Sequence, residues 1–344
     1  MFTLVRGKII ELKESHCAMR KILILFLAIL YVSCETNPPT TPVTPIVEYG
    51  SVKLISNVPN AKIFLDGNDT GKLTPDTLKT TVGNHTIELV KENYDSLILN
   101  INILKNTEIE LTANLFAANK IVLIEDFANV SCGPCVTSNK IIEHLINDNF
   151  GTSKLVAIKY PTNFPSPVDP FYLANGPDCN ARMGYYNILF APTTIVDGNL
   201  RPTSTDSNDV KNKIFSELAK VPQFIIDVSA SNAGSNYTIN ISVEVKDITN
   251  IDFSKLVLHS VVTETNIEFA TPPGSNGETK FYDVMRKMLP SNQGESLASI
   301  NQVGVYNFQR QLTLNSAWIQ NNINTVVFIQ NKDTKEIYQA GSTF

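Results

Sequence analysis

The sequence predicts an α/β domain flanked by two all-β domains, and three observations carry that expectation. Residues 50–115 alternate apolar and polar side chains in short runs broken by turn residues, the period of half-buried strands. Residues 120–145 pass from an apolar run, Lys120 to Phe127, through Cys132-Gly133-Pro134-Cys135 to Ile141, Ile142 and Leu145 at helical spacing. That order reads as strand, short loop and helix. From Gln223 onwards the pattern returns to strands. A length of 344 residues, at about 100–200 residues per domain, holds two or three such units.

Composition sets the outer limits. Hydrophobic residues are 43% and charged residues 18%, so the chain can bury a core, and wholesale disorder or a fibrous repeat is excluded. The formal charge of −5 provides no basic field for a phosphate backbone, which argues against a nucleic-acid partner. Five cysteines, Cys17, Cys34, Cys132, Cys135 and Cys179, are too few for a disulfide scaffold. Their positions matter more than their number.

At the amino terminus, Met19-Arg20-Lys21 precedes an apolar run from Ile22 to Val32. Cations followed by a run too short to span a bilayer match a secretory signal rather than a transmembrane anchor. Because that signal is complete from Met19, translation is expected to start there, with Cys17 outside the product. The run ends in Tyr31-Val32-Ser33-Cys34, which resembles the lipobox of bacterial lipoproteins, with Tyr31 in place of the usual leucine. The resemblance implies that residues 1–33 are removed and that Cys34 carries a lipid. Residues 34–48, rich in proline and threonine, then form a solvated tether. Losing five Lys/Arg and two Asp/Glu with residues 1–33 takes the charge from −5 to −8. The expected location is the bacterial cell envelope, lipid-anchored in the outer membrane.

Residues 49–116 form the first β domain. Ala61-Lys62-Ile63-Phe64-Leu65-Asp66-Gly67, Gly71, Thr74-Pro75 and Gly83-Asn84-His85 resemble the PEGA domain, a surface β module of bacterial envelope proteins. The resemblance implies a spacer or adhesive role and no chemistry. His85 could serve as a ligand, but a lone strand histidine beside a turn reads first as structural.

Residues 117–221 form the α/β domain and hold the chemistry. Cys-X-X-Cys opening a helix after a buried strand is what thiol exchange requires, because backbone N–H groups and the helix dipole stabilise a thiolate at the first cysteine. Proline fits the first helical turn, and the second cysteine can resolve a mixed disulfide. Structural zinc would need a second ligand pair, which the chain lacks; a fixed structural disulfide is the other alternative. Further along, Ala191-Pro192-Thr193 with Asp197-Gly198 completes a resemblance to the thioredoxin superfamily. That resemblance implies a thioredoxin-like fold with Cys132 as attacking thiol, Cys135 as resolving thiol, Asp126 as proton relay and Pro192 as substrate platform. Ser131 and Ala128 replace family aromatics, the family's buried lysine has no counterpart because Lys159 reads as out of register, and residues 160–167 belong to a proline-rich insertion. Cys179 lies in the same insertion as an unpaired structural cysteine or a third redox partner. His144 reads as a surface residue.

Residues 222–344 suggest an immunoglobulin-like sandwich. Taken with the preceding domain, they resemble the family of twenty-eight-kilodalton outer-membrane lipoproteins of gram-negative bacteria, most clearly over Phe281 to Pro290. Two functions stay open at this point. One is an envelope thiol–disulfide oxidoreductase acting on protein thiols or disulfides, with an envelope electron donor and no cofactor or metal. The other is a non-catalytic lipoprotein whose domains bind protein or glycan.

Overall fold

The computed structural model describes residues 46–344, so Cys34, the signal and most of the tether lie outside the described residues. Residues Val47–Phe344 form one compact unit. The first seven strands are β1 (Tyr49–Ser56), β2 (Lys62–Leu65), β3 (Asn68–Leu73), β4 (Asp76–Thr81), β5 (Gly83–Val90), β6 (Leu97–Ile103) and β7 (Glu108–Ala113). They make a three-stranded sheet, β4-β1-β7, and a four-stranded sheet, β3-β2-β5-β6. Between the sheets lie Val52, Leu54, Ile63, Ile87, Leu89 and Ile103, the inward members of the alternating runs. The expected antiparallel pattern has one exception, since β1 and β7 pair in parallel. First and last strands of a module are joined through everything between them, and only such a long connection allows parallel pairing.

The middle of the chain contributes β8 (Val122–Ala128), α1 (Cys135–His144), β9 (Leu155–Pro161), α2 (Pro170–Ala174), α3 (Gly176–Tyr186), β10 (Thr193–Val196) and α4 (Ser207–Leu218). The remainder adds β11 (Phe224–Ala233), β12 (Asn236–Val245), β13 (Leu256–Glu264), β14 (Ile267–Glu268), β15 (Lys280–Phe281), β16 (Val284–Leu289), β17 (Glu295–Ser296), β18 (Gly304–Thr313), β19 (Ile323–Asn331) and β20 (Ile337–Ser342).

Here the predicted fold class is corrected. The expectation was a thioredoxin-like α/β domain with its own sheet between two all-β domains. Strands dominate instead, and β8, β9 and β10 close no sheet of their own. They form one end of an eight-stranded sheet ordered β10-β8-β9-β16-β13-β19-β20, with β17 paired to β13. The join is a parallel contact of β16 with β9 at Val284 and Lys159. The physical reason is burial: every residue of β9 is buried, so a polar edge there would leave backbone groups unpaired. Strands from the carboxy-terminal half remove that edge.

Helices α1 and α4 cover one face of the β8–β10 end through Ile142, Val210, Ile214 and Leu218. Helix α3 covers the opposite face with Cys179, Met183 and Tyr186. The small sheet β11-β12-β18 packs on the far end of the large sheet through Phe224, Ile239, Leu258, Val327 and Ile329. Alternation along β8 therefore aims Glu125 at α3 and Asp126 at α1. Arg182 of α3 meets Glu125 with Nε–Oε1 at 2.5 Å and Nη2–Oε2 at 2.7 Å. The hydroxyl of Tyr186 donates to the same carboxylate, and Gln330 accepts from Arg182 at 2.8 Å.

A buried pair of this kind stabilises little relative to apolar packing, yet removing one member strands the other. Arg182→Leu should cost about 3–5 kcal/mol, read as a lowered urea midpoint; a midpoint within error of the parent would refute the role assigned to this pair.

Candidate functional site

Helix α1 starts at Cys135 with Pro134 at its N-cap, φ −64° and ψ −21°. No side chain caps this end; its first N–H groups turn back onto the motif, Cys135 N–H to Cys132 O at 3.2 Å, Val136 N–H to Gly133 O at 3.3 Å and Thr137 N–H to Pro134 O at 3.1 Å. Cys135 N–H also donates to Cys132 Sγ at 3.2 Å. When the pair is reduced, that contact and the helix dipole favour a thiolate at Cys132. Cys132 and Cys135 are joined as a disulfide. Cys132 is only 3% exposed, and Cys135 is fully buried.

Behind the pair, Asp126 is fully buried. Its Oδ1 accepts from Thr194 Oγ1 at 2.8 Å and from Ser138 Oγ at 3.3 Å. Ser138 lies one helical turn beyond Cys135, and Thr194 follows Pro192 by two residues. Strand register completes the arrangement, with Thr194 opposite Asp126 on one side and Lys159 opposite it on the other. The structure thus brings Asp126, Cys135 and the Pro192 loop into one cluster, and the Ala191–Pro192 peptide is cis. Lys159 belongs to the cluster too, although its sequence spacing hid it. Only the pairing of β8 with β9 places it beside Asp126, with its Nζ on Glu143 Oε1 at 3.2 Å.

Burial pushes the Asp126 carboxyl upward from its ordinary range, against the pull of Lys159 and the Thr194 and Ser138 hydroxyls, while Glu278 pushes further the same way. Asp283, part-buried just ahead of β16, is raised chiefly by desolvation to about 6.

The proline-rich insertion has a defined task. Asn129 Nδ2 donates to Thr162 O at 2.6 Å and Ser166 O at 2.9 Å, while its Oδ1 accepts from Ser131 N–H at 2.9 Å. Asp169 accepts from Val130 N–H at 2.8 Å and also caps α2. The insertion therefore holds the loop that leads into Cys132. Cys179, deep under α3, is pushed far up by burial and stands apart from the pair as a core residue. His144 is exposed and meets Asp148 at 2.7 Å. His85 pairs with Asp66 at 2.7 Å and Thr81 O at 2.8 Å in the first β module, a structural turn contact.

A strap from the other half of the chain covers the motif, and nothing in the sequence announced it. Asn276 N–H donates to Val130 O at 3.2 Å, and Ser275 N–H donates to Ser131 Oγ at 3.3 Å. At Gly274 a side chain has no room: a Cβ there would sit 2.2 Å from Val130 O. Beside the strap, Leu189 and Phe190, just before Ala191-Pro192, are 74% and 67% exposed.

Comparison with known proteins fits this picture in part. Residues 49–119 match the PEGA domain family, so the first β module is a PEGA domain. No curated protein matches the chain in sequence. Among solved structures, HBP35 of Porphyromonas gingivalis is 16% identical, with a TM-score of 0.56 over 65% of this chain and 74% of that one. At that identity the likeness concerns the fold alone. A protein from Agrobacterium tumefaciens is 14% identical, with a TM-score of 0.42 over 66% of this chain and 94% of its own. A domain of the outer membrane lipoprotein Omp28 from Porphyromonas gingivalis is 16% identical, with a TM-score of 0.24 over 36% of this chain and 88% of its own.

Two outcomes are expected from this geometry. Because Asp126 is raised in the folded protein, its contribution favours the fold at low pH and is lost as pH rises from the unfolded carboxyl value, about 3.9, through the raised folded value. Asp126→Asn should therefore be more stable than the parent at pH 7, with the gain vanishing below about pH 4 in urea midpoints. Gly274→Ala should displace the strap and speed reduction of the Cys132–Cys135 pair by dithiothreitol several-fold; an unchanged rate would show that the strap does not shield it.

Proposed function

We propose that this chain is a thiol–disulfide oxidoreductase of the bacterial cell envelope, anchored through a lipid on Cys34. The observation that carries the reading is the placement of Cys132-Gly133-Pro134-Cys135 at an uncapped helix start, with the buried Asp126 beside it. Cys132 is the sulfur that exchanges with substrate, because the Cys135 N–H and the helix dipole favour its thiolate. Cys135 resolves the mixed disulfide. Asp126 takes or returns the proton that Cys135 exchanges, and the loop at Pro192 supplies the surface against which a substrate polypeptide lies. Redox-active cysteines and an outer-membrane address, both readings of the sequence, belong to this proposal. The PEGA domain then acts as a spacer between membrane and redox site.

A second reading is favoured by one observation, the strap over the motif. A pair that is only 3% exposed at Cys132 also suits a permanent staple in a lipoprotein that binds protein or glycan.

Insulin-disulfide reduction by residues 46–344 separates the two. The parent should accelerate the reaction, and Cys132→Ser should fall to the uncatalysed rate; equal rates for both proteins would sink the oxidoreductase reading.

A further inference from the structure

The strap between β14 and β15 brings a carboxylate to the cysteine motif from about 140 residues away. Glu278 Oε1 accepts from Asn139 Nδ2 at 2.8 Å, and Asn139 sits one turn beyond Cys135 on α1. Its Oε2 accepts from Asn276 Nδ2 at 2.5 Å, and the same Asn276 amide reaches the Cys132 carbonyl at 3.5 Å. One carboxylate thus grips the segments that carry both cysteines.

Glu278 also lines a cavity of about 30 Å³ together with Asn129, Asn139, Lys159 and Asp169. Two buried oxygens in this region, Asn139 Oδ1 and Asp126 Oδ2, have no hydrogen-bond partner. Buried polar atoms are nearly always hydrogen-bonded, so two unpaired oxygens beside one cavity set this region apart. Two charged groups act on Asp126: Lys159, opposite it on β9, and Glu278, from the strap. Glu143 and Asp283 in turn face Lys159. Lys159 draws the proton off Asp126, while the Glu278 charge holds it on.

We propose that Glu278 is a positioning residue of the cysteine pair, holding Asn139 and Asn276 against the motif and placing a carboxylate in the cavity shared with Lys159. The proposal rests on the redox reading of the pair. In the step concerned, a thiolate of a substrate dithiol attacks Cys132 Sγ, the Cys132–Cys135 bond breaks, and Cys135 leaves as a thiolate. Asp126 gives that thiolate its proton. The second substrate thiolate then displaces Cys132, which leaves as a thiolate and takes a proton from solvent. Of the two protons the substrate thiols give up, one returns to Asp126 and one passes to solvent, so the substrate becomes a disulfide and the pair a dithiol. Retaining the proton on Asp126 favours this direction, in which the chain oxidises its substrate.

The test uses the soluble chain, residues 46–344, after reduction with dithiothreitol. Alkylation of Cys132 and Cys135 by iodoacetamide is followed by mass across about pH 5 to 9. Glu278→Gln should lower the alkylation midpoint by about half a pH unit or more, and Glu278→Asp should restore most of it. Ser275→Ala, which loosens the strap without changing charge, should leave the midpoint in place. Coincident midpoints for parent and Glu278→Gln would overturn the proposal, as would an equal shift in Ser275→Ala. The insulin assay judges the redox reading separately, since a Glu278 effect on the midpoint can exist in a pair that never turns over.

Discussion

Two adjacent carboxylates on one strand govern how the rest of the molecule is arranged. Glu125 and Asp126 both lie at zero exposure, and the pleat sends them to opposite faces of the sheet. A buried carboxylate without partners is too costly to keep, so each face must supply its own. On one face that demand places Arg182 and Tyr186 of α3 against Glu125 and draws in Gln330 from the far half of the chain. On the other, it places Ser138, Thr194 and Lys159 around Asp126. The first solution is a full set of hydrogen bonds. The second is incomplete: Asp126 Oδ2 has no hydrogen-bond partner.

The same division explains why the site is not confined to one stretch of sequence. A second buried ion pair, Lys120 with Asp197 at 2.7 Å, is closed by the carbonyl of Tyr338 at 3.2 Å. The strap, the β9–β16 join and these two ion pairs all tie the strands around the cysteine motif to residues beyond 250. Chemistry and scaffold are thus shared between halves that the sequence presents as separate.

What was legible in the sequence was whatever depends on near neighbours. The alternating runs of the first β module, the strand before Cys132 and the helix after it all follow from periodicity and turn residues. Cys132 and Cys135 could be named from their Cys-X-X-Cys spacing, Asp126 and Pro192 only through the family resemblance. Ser138 and Thr194 were within reach, one turn after Cys135 and two residues after Pro192. The rest depended on long-range pairing. Lys159 joins Asp126 only through strand register, and Glu278 arrives on a strap whose Thr-Pro-Pro-Gly-Ser-Asn-Gly sequence reads locally as an ordinary turn. The fold class went wrong for the same reason: a fully apolar β9 looks alike whether its neighbour is a helix layer or a strand from a hundred residues later.

The entry into β8 is held by the last strand of the chain. Ile121 N–H donates to Gln339 Oε1 at 3.1 Å, Gln339 Nε2 donates to Asn119 O at 2.6 Å, and Ile337 N–H donates to Asp197 O at 3.0 Å. Contacts so distant in sequence make folding wait on chain completion. During vectorial synthesis or export, the PEGA domain has its whole core once residue 115 has emerged. The strand that leads into the cysteine motif, by contrast, stays without its final partners until residue 339 follows. Until then the motif lacks part of the framework that buries it.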